Sequence, residues 1–442
     1  MNPAGSDRRE FLAAGSSAAL AASAPAAERP AVNNPRATSG DLAVEPDWAE
    51  RLTMDVGVAK GAIVGTDDKA IQAAVDYVAR LGGGTVRLSP GTWRLRNSIF
   101  LASGVRLAGS GPETILAKEA MAKARLVADS DWFDQEITLA EASAFRVGDG
   151  VCLRCRNPHN GSPTVIKRTL VARDGNRFKL DKPLRENLWQ MSEATAATLF
   201  PLVTAEFAHG MVVENLTLDG NRANNENLDG NYSGCVFIQD CRDVAFRKVI
   251  ARDNNGDGIS WQVCHDVSVT GCQSTGNAGL GLHPGSGSQR PVIRDNRLAR
   301  NDIGLFFCWG VRHGLAEGNS IEDNRVGVSI GHRDTDNLVV GNTIRRSGKN
   351  GVLFRAERGK AFAGHRNELR ANTIIDTGGD GAAAVEVEGQ TGDRTVESNI
   401  LRETRAPSSR VGFRFAPGTG KMTMKDNVVS GFAKEIDDQR TR

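Results

Sequence analysis

The sequence has almost no charge imbalance. Its 442 residues hold 55 Lys and Arg against 53 Asp and Glu, a formal net charge of +2. That leaves no electrostatic case for a nucleic acid or an anionic membrane surface as partner. Long apolar runs are missing as well, and no segment is long enough to span a bilayer in the mature chain. Cys152 and Cys155 form a C-x-x-C, but no second pair follows to complete a zinc site. The seven cysteines are odd in number, imply no disulfide framework, and read as small buried apolar residues. Tyrosine occurs only at Tyr77, within a helical pattern, and at Tyr232. A phenolic proton donor would therefore have to be Tyr232.

What is present begins with a targeting pattern. Asp7-Arg8-Arg9-Glu10-Phe11-Leu12 precedes a weakly apolar stretch, Ala13 to Ala24, and a small-residue site, Ala24-Pro25-Ala26. A charged start, a short apolar run and an A-x-A site make a signal peptide, here residues 1–27. The arginine pair followed by Phe-Leu resembles a twin-arginine signal, with Ala13 where Lys is common. The expectation is export as a folded protein, to the periplasm or beyond. No Cys follows the apolar run, so no lipid anchor is expected. Residues 28–50 are Ala, Pro and polar, and read as a flexible linker.

A repeat then dominates. Asn215, Cys272, Asn296, Asn319, Asn342, Asn372, Asn399 and Asn427 recur in similar short segments, with Lys248 in the same place of its own segment. Gly258, Gly281, Gly304, Gly327 and Gly351 form a second column at steps of 23, 23, 23 and 24, each followed by an aliphatic residue. A unit of about 23 residues holds two or three short strands and cannot bury its own apolar face, so neighbours must stack. Asn at a fixed corner tolerates left-handed backbone and can bond the Asn of the next coil. The L-x-x-L-x-L pattern of leucine-rich repeats is absent. The expected fold is all-β, a right-handed parallel β-helix. Thr66 is the expected N-cap of one short helix over residues 67–81, which would cap the core. Residues 51–124 read as this cap with the first coils, 125–200 as an inserted β subdomain, 201–432 as the main β-helix and 433–442 as a tail. The insert alternates apolar and polar residues between Gly-rich turns; it would either wall a groove or add stability.

The block DDKAIQAAVD…GGGTVRLSPGTW, with the coils after residue 204, resembles the pectate-lyase-like superfamily. The resemblance implies a carbohydrate-active β-helix, and the superfamily spans lyases, hydrolases, epimerases and tailspikes. The paired aspartates and R-I-K segment of its polygalacturonase-like branch are absent, and His283-Pro284 reverses the D-P-H-type order of its alginate epimerases.

Outward side chains of one sheet present a contact at each coil, about every 4.8 Å, which suits an extended polymer. Reading outward from the Gly column gives Ser260, His283, Phe306, Ser329 and Leu353, then Gln262, Gly285, Cys308, Gly331 and Arg355. The candidate catalytic residues are His283, Asp257, His332, Arg355 and Arg312. His can move a proton near neutral pH, and Arg can neutralise a uronate carboxylate. The candidate substrate-binding residues are Trp261, Gln262, Gln289, Arg290, Phe306, Trp309, His313, Asp334, Asp336 and Tyr232. Asp257 also fits a strong turn, Asn254-Asn255-Gly256-Asp257-Gly258. His332-Arg333-Asp334-Thr335-Asp336 is a possible Ca2+ site by resemblance, or a solvated turn. The expected partner is an acidic polysaccharide or oligosaccharide and the expected reaction β-elimination. A hydrolase, a uronan epimerase or a non-catalytic glycan-binding surface protein stand as alternatives, with a monomer or homotrimer as the assembly.

Overall fold

A computed structural model describes residues 27–32, 45–157, 160–406 and 409–440. The twin-arginine signal thus lies outside the described residues except for Ala27, as does the middle of the linker. Among the described residues no helix is long and apolar enough to cross a membrane.

Three long parallel sheets of 13, 11 and 11 strands wrap one core, and a separate sheet has six strands. One coil shows the path: Val236–Gln239 in what we term the site sheet, Arg242–Arg247 in the first sheet, Ile250–Arg252 in the second. The aliphatic residue after each Gly points inward. Ile259, Leu282, Leu305, Val328, Val352 and Val385 are fully buried in one continuous core. Each such side chain contributes about 1.5–3 kcal/mol on burial.

The Asn ladder runs from Cys272 to Asn427, shorter than the sequence column. From Asn319 on, each Asn accepts the backbone N–H and the side-chain amide of the Asn one coil back, as Asn342 does from Asn319 at 2.9 and 2.8 Å. Strand pairing aligns Leu216 and Val249, not Asn215 and Lys248, with Cys272. Asn215 and Lys248 instead hold the left-handed position just before it, φ +54° and +51°. Gly271, Asp295, Gly318 and Gly341 take that position in later coils, so the ladder Asn residues themselves are not left-handed. A ladder Asn is held by its amide bonds, and the preceding residue makes the turn.

The helix spans Asp68–Arg80, and its cap is Asp67, whose carboxylate accepts from Ala70 N at 3.2 Å. Thr66 lies one residue too early. Ile71, Ala74, Val75 and Val78 close the end of the core. The insert forms an antiparallel sheet around its own core, with Phe145, Leu170, Phe178 and Leu188 buried. At the other end Lys434–Asp438 pairs with Val411–Phe415, so the β-helix continues into the stretch read as a tail. All seven cysteines are free and buried.

Candidate functional site

A cleft of about 710 Å³ opens between the insert and the first strands of the site sheet. Lys167, Lys182 and Arg185 reach it from the insert, and Phe100, Phe207 and Phe237 from the β-helix. Phe100 and Phe207 are exposed, while Phe237 is buried beneath Lys167. Lys167 Nζ lies 3.9 Å from the Phe237 ring centre and donates to the Tyr232 carbonyl at 2.7 Å. Burial, with no carboxylate in contact, pushes its amine down to about 8. Arg168 spends its guanidinium on the Pro183 and Leu184 carbonyls and supports the wall.

Phe237, Ser260 and His283 occupy successive strands of one outward column, so His283 lies about 10 Å from Phe237 at the usual strand spacing. Its Nδ1 lies 2.7 Å from Asp257 Oδ2, and the other Asp257 oxygen accepts from Leu280 N at 2.8 Å. Gly258 follows Asp257 where no side chain fits, since a Cβ there would lie 2.0 Å from Ser274 Oγ. Since a carboxylate only accepts, Nδ1 carries a proton, and in the neutral imidazole Nε2 then presents a lone pair. Nε2 is buried and has no hydrogen-bond partner among the described residues. Loop residues 225–233 cover the pair. Ser260 Oγ donates to the Gly230 carbonyl at 2.8 Å, and a Cβ on Gly230 would lie 1.7 Å from Asp257 Oδ2. The insert grips this loop: Lys123 and Arg154 pair with Glu226, and Arg154 donates to the Asn227 carbonyl.

Phe306, next in the column, meets His283 edge-on at 5.4 Å, and the Arg355 guanidinium lies over its ring at 4.3 Å. Arg355 also donates to Ser329 Oγ and the Phe307 carbonyl, and lies 3.3 Å from Asp334. Gln262 is buried beside Ser260. His332 Nδ1 meets Glu357 at 3.1 Å, and its ring stacks on Trp309. Tyr232 lies on the covering loop, partly exposed.

The other sequence candidates are placed differently. Trp261 is fully buried in the core, because strand alternation turns it inward between outward Ser260 and Gln262. It cannot touch a glycan. Gln289 and Arg312 sit around the corner, bridged in line with His265 and Thr335 at the start of the first sheet. Arg290 there pairs with Asp266 at 2.7 Å, and Arg366 with Asp336. His313 is buried, which lowers its pKa. These five residues therefore do not join His283 on one stripe.

The calcium reading does not fit. Asp334 is wholly buried and accepts from Gly310, Val311 and Gly331 N–H at 2.8–3.0 Å as well as meeting Arg355, so it caps a corner. Burial raises its pKa, opposed by Arg355 and these N–H groups. Asp336 is engaged with Arg366. Among the described residues no group of three His, Cys, Asp or Glu could hold a metal ion.

Sequence reasoning missed Lys167, Phe237 and Gly230. Nothing in the alternating pattern of the insert distinguishes Lys167 from its other basic residues. Gly230 had a signal: it lies in the longest interval of the repeat, where extra residues must leave the coil.

A family model described as a right-handed β-helix region matches residues 234–360. No curated protein matches the sequence. Among solved structures, the A-module of the Azotobacter vinelandii mannuronan C-5 epimerase AlgE6 superposes with TM-score 0.54 at 18% identity, covering 87% of this chain and 96% of that one. The AlgE4 A-module gives 0.51 at 17%, covering 86% and 97%. PfbA, a surface adhesin of Streptococcus pneumoniae, gives 0.53 at 14%, covering 86% and 91%. At these identities the likeness establishes the fold, a right-handed parallel β-helix, and not the chemistry.

Proposed function

We propose that this chain is an exported carbohydrate-active protein that takes an extended acidic polysaccharide into the cleft and cleaves it by β-elimination, with His283 as base. The twin-arginine pattern motivates the export route, periplasmic or secreted. The observation that carries the chemistry is the Asp257–His283 pair, whose Nε2 is buried and lacks a hydrogen-bond partner among the described residues. Both Asp257 oxygens are engaged, one by His283 and one by Leu280 N–H. That disfavours Asp257 as a glycosidase acid or nucleophile and favours proton abstraction by the imidazole it orients. Lys167, Lys182 and Arg185 supply positive charge in the cleft, and Phe100 and Phe207 supply faces for sugar rings. The epimerase names of two fold relatives support a uronan as substrate class by analogy only.

Elimination and C5 epimerisation share the abstraction step. The test incubates the full chain with a panel of uronic-acid polymers and follows the ultraviolet absorbance of the unsaturated product. Rising absorbance supports elimination. An inverted C5 centre by NMR without absorbance reassigns the reaction to epimerisation, and new reducing ends without absorbance to hydrolysis. A second reading is non-catalytic glycan binding at the cell surface. The burial of His283 Nε2 beneath the loop favours it, and it predicts saturable binding with no product.

A further inference from the structure

A separate corner of the molecule carries a second constellation. Trp309 is 58% exposed, although its backbone is left-handed at φ +61°. That conformation is the coil's own corner, which Asp240, Val263 and Ser286 take in the preceding coils, so it is the exposed ring and not the backbone that sets Trp309 apart. One face of Trp309 stacks on His332, centroids 4.6 Å apart and planes 27° apart, and His332 meets Phe362 at 5.3 Å. Arg333 lies over Phe362 at 4.5 Å. Beside it a cavity of about 190 Å³ is lined by Arg312, Arg333 and Arg366 together with Thr335 and His365. Arg366 meets Asp336 at two points, Arg333 rests on Phe362 and donates to the Ala361 carbonyl, and Glu357 meets His332 nearby. The cavity is too small for a polymer and large enough for one charged substituent. Guanidinium groups match the flat, two-oxygen edge of a carboxylate or sulfate.

We propose that this corner is a second carbohydrate subsite, distinct from the cleft, that holds one anionic sugar unit. The ring rests on the open face of Trp309 and its carboxylate or sulfate enters the arginine-lined cavity. The proposal rests on the reading above only in taking a glycan as ligand. Arg312 is three coils beyond Gln239 of the cleft, roughly 15 Å along the axis at the usual strand spacing.

The test titrates the full chain by calorimetry and tryptophan fluorescence with three oligosaccharides: an oligogalacturonate bearing carboxylates, a carrageenan oligosaccharide bearing sulfates, and a neutral cello-oligosaccharide. At least one anionic probe is expected to bind with a fluorescence change, at least tenfold more tightly than the neutral one. Whichever anionic probe binds identifies the charged group. Trp309→Ala should abolish the fluorescence change and weaken binding tenfold or more, and Arg333→Gln should weaken it similarly while leaving the aromatic stack intact. Wild-type affinity in both variants, equal affinity for the neutral probe, or no binding of any probe overturns the proposal. Cleft variants Lys167→Met and Phe237→Ala separate the two readings. Binding that depends on Trp309 and Arg333 but not on the cleft supports this subsite and counts against the cleft. Dependence on the cleft alone does the reverse.

Discussion

Replacing Asp257 by Asn tests the catalytic reading while changing few atoms. The carboxylate now accepts twice, from Leu280 N at 2.8 Å and from His283 Nδ1 at 2.7 Å. A carboxamide has one oxygen. If that oxygen keeps Leu280 N–H, the amide N–H2 faces Nδ1 and must donate to it. If it turns toward His283, two donors collide at Leu280. The first arrangement wins, because an orphaned buried N–H costs about 1–3 kcal/mol. The imidazole proton then moves to Nε2, the atom that must be bare to take a proton from substrate. Exchanging a charge-assisted hydrogen bond for a neutral one should cost about 1–2 kcal/mol of stability, so the variant should fold. A correctly placed general base contributes about 10²–10⁴ in rate, or about 3–5 kcal/mol of barrier. Elimination by Asp257→Asn should fall by that factor. Initial rates on the responsive uronan give the activity, and ¹⁵N-histidine NMR of the folded variant gives the tautomer. Activity within about threefold of the wild type refutes the assignment of His283 as base. A proton still on Nδ1 refutes the tautomer argument even if activity falls.

Three further outcomes are expected. Gly230→Val places a side chain where a Cβ would stand 1.7 Å from Asp257 Oδ2, so the loop must lift and His283 should react faster with an imidazole-directed acylating reagent. Unchanged modification, read by peptide mass spectrometry, would remove the loop as cover. Lys167, with its amine at about 8 against an ordinary 10.5, should hold about a hundredfold more neutral amine at pH 8 than exposed lysines, and its labelling should level off above pH 8 while theirs keeps rising. Because burial disfavours its charged form, it weakens the fold below pH 8. Stability relative to Lys167→Met should rise as pH climbs from 8 toward 10.5, and a flat difference in urea midpoints argues against burial of the charge. Asn342→Ala orphans the Asn319 backbone N–H and one Asn319 amide proton, both buried, and should cost about 2–6 kcal/mol in urea unfolding. A loss under about 1 kcal/mol would mean the ladder relaxes or hydrates.

The solenoid was readable because each coil repeats one solution to the same burial problem. The Gly column and its aliphatic neighbours gave the inward set, and Val328 and Val352 are indeed fully buried. Alternation also gave the outward column that carries His283. Where the reading slipped, a local identity had replaced a position. Asn215 matched the ladder by type, yet strand pairing puts Leu216 there. Trp261 entered the site list as an aromatic near histidines, although its parity within the strand already pointed inward. Asp334 looked like a free carboxylate because sequence cannot show three backbone N–H groups converging on it. The His283–Asp257 contact joins residues 26 apart, which follows only once Leu280 is seen to pair with Ile303 and both face outward.

The breaks in the period locate the site better than the density of His, Trp and Arg. A strictly regular coil has no atoms to spare for a wall, since each residue is a core side chain, a ladder member or a tight turn. Walls must come from extra chain. The insert leaves the second sheet after Thr114–Lys118 and returns to the site sheet at Val203–Glu206. The covering loop makes the same journey one coil later, from Thr217–Asp219 to Val236–Gln239. Both excursions reach the outward face of the site sheet, and they hold each other through Glu226 and Lys167. A third excursion, between Asn350–Phe354 and Glu368–Arg370, brings Phe362 and His365 to the Trp309 corner. The first two enclose the cleft and the dyad, and the third completes the arginine-lined cavity. The regular coils between them act as a ruler that fixes the distance from one to the other.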